Sequence, residues 1–529
     1  MNFLLEFTKS NYKVWHSVAK RLNKIYPGSS FSGLCGKDVV AFLEGQDDLE
    51  YRTLYVHPDI VKESLKDEVD HVLLEDFEKQ LPRKSLWRLI SSDREWGSPF
   101  MHGAVLNKTF INMNNDRENI LKLISGSIKR YRKIFDEQQV DIFLPAIAMG
   151  SVSVHLLEHI CRERNIPYIV PTSVRVKSFF TFAGDVQLRF PQIDRTYERI
   201  SRGELEVDLD RAERLYRELI SEFKDSQYFD RQLPCFNQKK LDSVSAHFIF
   251  WLKTVKAVIV TMWRWLGDAF MDKTRLDIYR QLHTPGVLVD NVKNILLRQK
   301  MRAYLLGPGY GEELPPGQKY IYYPLHTSPE YSTQFQGTMW MDQLYTIELL
   351  AKSVPFDWVV YVKEHPAILT SRVRPKGFYE RLERLPNVKL APIYADTHNL
   401  IGEAEIVSVV TGTTGWEAVQ RGKPLITFAD NFWDVLALSR KCTDVESLSR
   451  DIQDEVERMK VITENERKSR IVRFLAAVLE HGFEITYPQQ FSYEKGSDEQ
   501  YATVGRETAD ALKRHLDQVH KKDFYEECI

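Results

Sequence analysis

The sequence has no GxGxxG turn and no GxxxxGK[ST] loop, so dinucleotide oxidoreduction and P-loop hydrolysis lose their main support. Neither CxxC nor HExxH spacing occurs, and the five cysteines (Cys35, Cys161, Cys235, Cys442, Cys528) are scattered and odd in number. That pattern argues against a disulfide framework or a zinc module and suits a reducing compartment. An excess of one charge is also missing: 72 Lys and Arg stand against 74 Asp and Glu, a net of -2. No global field points to nucleic acid as a partner, so any anion site must be built locally. No apolar run reaches the roughly 18 residues a spanning helix needs. The start, "MNFLLEFTKSNYKVW", lacks the basic opening, long apolar stretch and small-residue cleavage site of a signal peptide. A cytoplasmic protein is expected.

What is present is globular: 43% hydrophobic and 28% charged residues over 529 positions. That length predicts two domains plus an insertion. Residues 1–195 alternate apolar runs with helical segments. "NFLLEF", "DVVAFLEG" and "RTLYVH" are strand candidates, and "DIFLPAIAMGSVSVHLLEHICRERNIPYIV" predicts a βαβ crossover. Alternation of this kind predicts a parallel sheet covered by helices. Residues 196–317 turn helical. Asp208 and Asp210 have the Asp-x-Asp shape some glycosyltransferases use for a cation, but they precede "RAERLYRELI" and read as helix caps. Within this region "SVSAHFIFWLKTVKAVIVTMWRWLG" (243–267) is aromatic, with Lys253, Lys256 and Arg264 on one side of a helix. Such a segment suits the headgroup boundary of an anionic membrane, with burial as the alternative. From 318 to 450 a second α/β pattern follows: "KYIYYPLH", "DWVVYVKEHP", "NVKLAPI", "EIVSVVTG" and "KPLITFA" predict strands. Residues 451–529 read as closing helices. The fold class is α/β, with two Rossmann-like domains and a helical insertion.

Three strand ends of the second pattern carry unusual residues. His326 and Glu330 follow the first. Lys363, Glu364, His365 and Pro366 follow the second. Thr411, Gly412, Thr413, Thr414 and Gly415 follow the fourth. Ligands sit outside the carboxyl ends of strands in open parallel sheets, so these sets should share one crevice. The "TGTTG" stretch offers backbone N–H groups at a helix N-terminus, where an anion is favoured. Its alternative is a capping box in which Thr414 caps and Glu417 reaches back. Glu417 could instead hold ribose hydroxyls. His365-Pro366 ends a strand in a rigid loop, and Lys363 adds a charge two residues back. Such a pair can bind a phosphodiester or protonate a leaving phosphate. No metal site is expected. Among the carboxylates of residues 1–195, Asp93 in "SSDREWGSPFMHG" and Asp185 in "TFAGDVQ" are the acid–base candidates, and spacing alone does not choose between them.

The segments "YIYYPLHTSPEYST", "VVYVKEHPA" and "VSVVTGTTGWEAVQRGKPLITFA" resemble the capsular-polysaccharide synthesis group of glycosyltransferases. That group includes Kdo (3-deoxy-D-manno-octulosonate) transferases and is related to other GT-B-type enzymes, whose two Rossmann-like domains face a cleft. The resemblance is specific over about 318–435, weaker over 1–195 and absent in 196–300. It implies a nucleotide-sugar donor on the C-terminal domain and an acceptor on the N-terminal one. By the same resemblance His365 and Pro366 match the His-Pro element near the donor phosphate. Thr411 to Gly415 match the Ser/Thr-rich phosphate loop, and Glu417 matches the glutamate near the ribose. CMP-sugar users of this architecture need no metal or other cofactor.

The expected activity is therefore transfer of a sugar, Kdo or another acidic one, from a CMP-linked donor to a surface glycan or lipid-linked glycan. Contact with the inner-membrane surface would run through 243–267. A nucleotide-sugar 2-epimerase, a teichoic-type glycerophosphotransferase and a non-catalytic nucleotide-sugar-binding scaffold share the architecture and are the competing readings.

Overall fold

A computed structural model describes residues 1–82, 84–94, 96–101, 117–146, 151–221, 285–328, 330–369, 374–491 and 496–518, with scattered positions between 252 and 266. The chain divides into two compact units. The first comprises Met1–Leu89, Asp116–Leu219 and Arg470–Ile529, and the second Ile90–Asn115 and Ile220–Ser469. The division crosses the boundary expected at 195: the segment after Leu89 joins the second unit, and the last helices return to the first.

The first unit is built on a parallel sheet of β1 (Asn2–Phe7), β2 (Ser30–Cys35), β3 (Thr53–Val56) and β4 (Ile142–Leu144), in the order β3-β2-β1-β4. Phe3, Leu4, Leu5 and Phe7 of β1 are all buried, as expected of a parallel strand covered on both faces. Helix Tyr12–Ile25 connects β1 to β2 and packs along helix Asp498–Gln518. The βαβ crossover is present: β4 leads into helix Val152–Glu163, and Tyr168 returns beside Phe143 in parallel. A second, antiparallel sheet joins β5 (Val170–Ser173), β6 (Phe179–Ala183) and the pair Phe483–Glu484. One expectation fails here. "DVVAFLEG" is a helix, Lys37–Glu44, because its buried residues Val39 and Leu43 are four apart and follow a helical stripe.

The second unit holds β7 (Tyr320–Pro324), β8 (Val359–Lys363), β9 (Val388–Leu390), β10 (Ile406–Val409), β11 (Leu425–Thr427) and β12 (Arg440–Lys441). They form one sheet in the order β12-β11-β10-β7-β8-β9, parallel throughout. Helices Gln343–Ser353, Lys376–Glu383, Thr397–Glu403 and Thr413–Arg421 link successive strands. Ile321, Tyr323, Val360, Val362, Ile406 and Ile426 form part of one core. Strand order reverses between β7 and β10, and that switch point is where such a sheet opens a crevice. All five strands expected from the sequence are present; β12 is additional. The Asp-x-Asp pair acts as a cap, Asp208 Oδ1 accepting from the Asp210 N–H at 2.9 Å beside helix Leu209–Ser221.

Candidate functional site

The loop after β7 is clamped on both sides of His326. Its N–H donates to Gln343 Oε1 at 2.7 Å, and its carbonyl accepts from Gln343 Nε2 at 3.1 Å. The ring itself is buried. Its Nε2 has no hydrogen-bond partner among the described residues, and its Nδ1 lies 3.9 Å from Glu330 Oε2. Burial pushes the imidazole pKa down, with Glu330 opposing.

At the end of β8 the sequence Lys363-Glu364-His365 places three ionisable groups where water is nearly excluded. Glu364 is fully buried, a state that is costly for a carboxylate unless it is paired and hydrogen-bonded. It is held by the guanidinium of Arg374, by the Tyr379 hydroxyl at 2.7 Å and by the N–H of His365 at 2.7 Å. The same guanidinium donates to the His326 carbonyl. One ion pair thus locks the loops after β7 and β8 together. Sequence reasoning gave no role to Glu364, Arg374, Tyr379 or Gln343. A carboxylate closing a buried strand was the available signal for Glu364. Arg374, ten positions on, gave none.

Lys363 is 4% exposed, and burial lowers its pKa to about 8 against the pull of Glu364 and Asp396. His365 accepts the Ala367 N–H on Nδ1 at 3.1 Å, so the neutral ring carries its proton on Nε2. Burial, then Lys363 and His326, press its pKa down to about 3. It is therefore a neutral hydrogen-bond donor near pH 7. Pro366 opens a short 3-10 turn, Pro366–Leu369, that fixes the loop direction.

After β10, Thr411 is buried and donates to Gln336 Oε1 at 3.4 Å. Gly412 sits at φ +106°, where a side chain is strained, and a Cβ there would stand 2.9 Å from His326 Cε1. Helix Thr413–Arg421 opens on Gly412 without a side-chain cap, so the capping box of Thr414 and Glu417 is not formed. Its first N–H groups lack partners inside the helix. Gly415 has a different reason to be small: a Cβ would lie 2.7 Å from Trp433 Cζ2, so it serves packing. Burial raises the Glu417 carboxyl to about 7, with Arg421 opposing. Glu417 Oε2 is buried without a hydrogen-bond partner among the described residues, and His398 Nδ1 stands 3.6 Å away.

The two expected bases fall in different units. Asp93 groups with the second unit, where its Oδ1 accepts from Trp96 N at 3.1 Å and its carbonyl from Gln334 Nε2 at 3.0 Å. Asp185 lies in the first unit, buried and paired with Arg189 at 2.7 Å. Among the described residues no three His, Cys, Asp or Glu side chains gather to hold a metal ion. Sequence reasoning gave no weight to His155-x-x-Glu158-His159, a spacing that can ligate zinc. His159 is stacked on Phe77 with Nε2 3.3 Å from Gln80 Oε1, and Glu158 pairs with Arg162. Those donors are already in use.

Two Rossmann-like parallel sheets, one with histidines, a lysine and an uncapped helix at its switch point, define an α/β protein of two Rossmann-like units. Residues 296–458, within the second unit, match the family described as capsule polysaccharide biosynthesis protein. No curated protein matches the chain. Among solved structures, the β-Kdo 2,4 transferase of Thermosulfurimonas dismutans KpsC is similar at 12% identity and a TM-score of 0.32, covering 69% of this chain and 87% of that one. The β-Kdo 2,7 transferase of the same protein gives 10% and 0.29, covering 73% and 89%. The UDP-GlcNAc 2-epimerase of Neisseria meningitidis gives 11% and 0.23, covering 91% and 100%.

Proposed function

We propose that the chain transfers a sugar, Kdo or another acidic one, from a CMP-linked donor to a capsular or other surface glycan, without a metal ion. The observation that carries this reading is the convergence of His326, Lys363 and His365 with the open N-terminus of helix Thr413–Arg421 at the ends of β7, β8 and β10. When the bond between sugar and nucleotide breaks, negative charge grows on the departing phosphate. Fixed donors in a nearly dry site stabilise that charge without reorganising. The Lys363 ammonium, the His365 Nε2–H and the first N–H groups of the helix supply them. The unsatisfied Glu417 Oε2, with His398 beside it, suits ribose hydroxyls.

A panel of CMP, UDP and GDP, followed by transfer from the matching nucleotide sugars, tests this. CMP should raise the melting temperature most, because a ligand that binds only the native state stabilises it. Change of a nucleotide sugar without any acceptor would favour the epimerase reading. Binding with no turnover would favour the scaffold.

The same reading places the protein on an anionic membrane surface. No described helix is long and apolar enough to cross a membrane. The segment 243–267 lies largely outside the described residues. Its described positions Leu252, Ile259, Val260, Met262, Trp263 and Leu266 are exposed, Trp263 at 72%. Co-sedimentation with anionic vesicles, lost on Trp263→Glu, is the expected result. Equal binding by the variant overturns the placement.

A further inference from the structure

The first unit has a cavity of about 380 Å³ at its antiparallel sheet, where β6 meets the pair Phe483–Glu484. That volume falls within the roughly 300–1,000 Å³ of small-molecule sites. The buried part of the lining is aromatic: Phe179 and Phe483, the latter held by stacking on Phe182 at 5.0 Å. The exposed part is charged. Helix Asp498–Gln518 turns Arg506, Asp510 and Arg514 towards the cavity together, because residues four apart share a helical face.

Most of the carboxylates here are engaged. Asp510 accepts from Arg21 Nε at 2.8 Å and from Nη2 at 3.1 Å, a pairing across 489 positions. Glu507 accepts the Thr486 N–H at 3.0 Å on one oxygen and the Thr486 hydroxyl on the other. Glu484 stands 3.6 Å from Arg211 with both side chains more than half exposed, and such a pair is worth little. Arg506 and Arg514 make no hydrogen bond or ion pair among the described residues. Two open guanidinium groups on one cavity call for an anion, since each offers a planar fork to a carboxylate or a phosphate.

Charge decides between those two. Arg21, Arg211, Arg506 and Arg514 face the three carboxylates Glu484, Glu507 and Asp510, a surplus of one positive charge. One surplus charge matches a monocarboxylate, whereas a phosphate dianion would meet repulsion that nothing offsets. An ionised carboxylate has about four acceptor sites, so Glu484 and Glu507 keep capacity for hydroxyl donors. The aromatic part of the lining suits the apolar face of a ring. A carboxylate, several hydroxyls and an apolar ring face together describe an acidic sugar. We propose that this cavity binds one carboxylate-bearing sugar unit of an acidic glycan chain, with Arg506 and Arg514 on its carboxylate. The site lies within the first unit and holds glycan whether or not the chain transfers sugar.

Affinity electrophoresis of the full chain through gels containing polygalacturonate, with dextran as the neutral control, tests this. Polygalacturonate should retard wild type, dextran should not, and monomeric galacturonate should release it. The double variant Arg506→Gln/Arg514→Gln should bind about tenfold more weakly or worse, because both charge-assisted forks are lost. Its melting temperature should stay within about two degrees of wild type, as neither arginine has a partner to lose. Equal retardation of the double variant, or none of wild type, overturns the proposal. Release by inorganic phosphate at a lower concentration than galacturonate also overturns it, by showing a phosphate site. No donor is present, so the result is separate from that of the nucleotide panel.

Discussion

His365 accepts the Ala367 N–H on its Nδ1, which leaves the ring proton on Nε2, the atom proposed to meet the donor phosphate. Alanine there removes the donor and leaves one backbone N–H to find water, a cost of about 1 kcal/mol. His365→Ala is therefore expected to cut transfer at least 100-fold while the melting temperature falls by only a few degrees. A fall of ten degrees or more in a thermal melt would make the histidine structural. Glu417 allows a prediction with a sign. Its pKa rises from 4.5 to about 7 in the fold, so between those values the native state binds more protons than the unfolded chain. The contribution is present below pH 4.5 and is lost as pH rises through about 7. Glu417→Gln has no such loss. Its melting temperature should gain on wild type between pH 4.5 and 7 and hold that gain above, checked by melts from pH 4 to 8.

At the scale of elements, the pair Glu364–Arg374 ties the loops after β7 and β8, and its removal tests whether the crevice is preorganised by it. Arg374→Ala leaves a buried carboxylate without its cation, which costs about 3–5 kcal/mol in such sites. Arg374→Lys should recover little of that, since a lysine cannot hold both the carboxylate and the His326 carbonyl as the planar guanidinium does. Denaturant unfolding of both variants gives the comparison, and full recovery by lysine would contradict the tie. This element marks the limit of what sequence reading could reach. The five strands of the second sheet are legible because each is a short apolar run bounded by turn residues. Their terminal histidines and threonines stand out for the same reason. Arg374 is not legible, since its partner is ten residues away and no periodicity connects them. The helix Lys37–Glu44 was misread because eight residues are too few to separate a helical stripe from a strand. Gly412 and Gly415 look alike in "TGTTG", yet one answers to a positive φ against His326 and the other to the bulk of Trp433.

For the whole molecule, each unit carries one parallel sheet with one switch point. Sequence periodicity revealed both sheets, but the pairing of Arg21 with Asp510 spans 489 positions and joins helix Tyr12–Ile25 to helix Asp498–Gln518, which no local pattern encodes. The cationic and N–H donors of the second unit predict how the intact chain responds to nucleotide. At a hundredfold excess over Kd a ligand of the native state adds about 2.7 kcal/mol, which a thermal shift resolves as several degrees. That shift should be unaffected by a chelator, because the proposal has Lys363 and the N–H donors meet the phosphate. Its loss with EDTA and return with Mg²⁺ would refute the metal-free arrangement. The pH dependence follows from Lys363, whose ammonium has a pKa of about 8 in the unliganded fold. A bound phosphate favours the charged form and raises that pKa, so proton uptake accompanies binding above pH 8. The nucleotide shift should stay level from pH 6 to 7.5 and shrink as pH climbs through 8 to 9. Lys363→Met should start from a smaller shift and lose that decline. A wild-type shift that is flat across the range would place the phosphate away from Lys363.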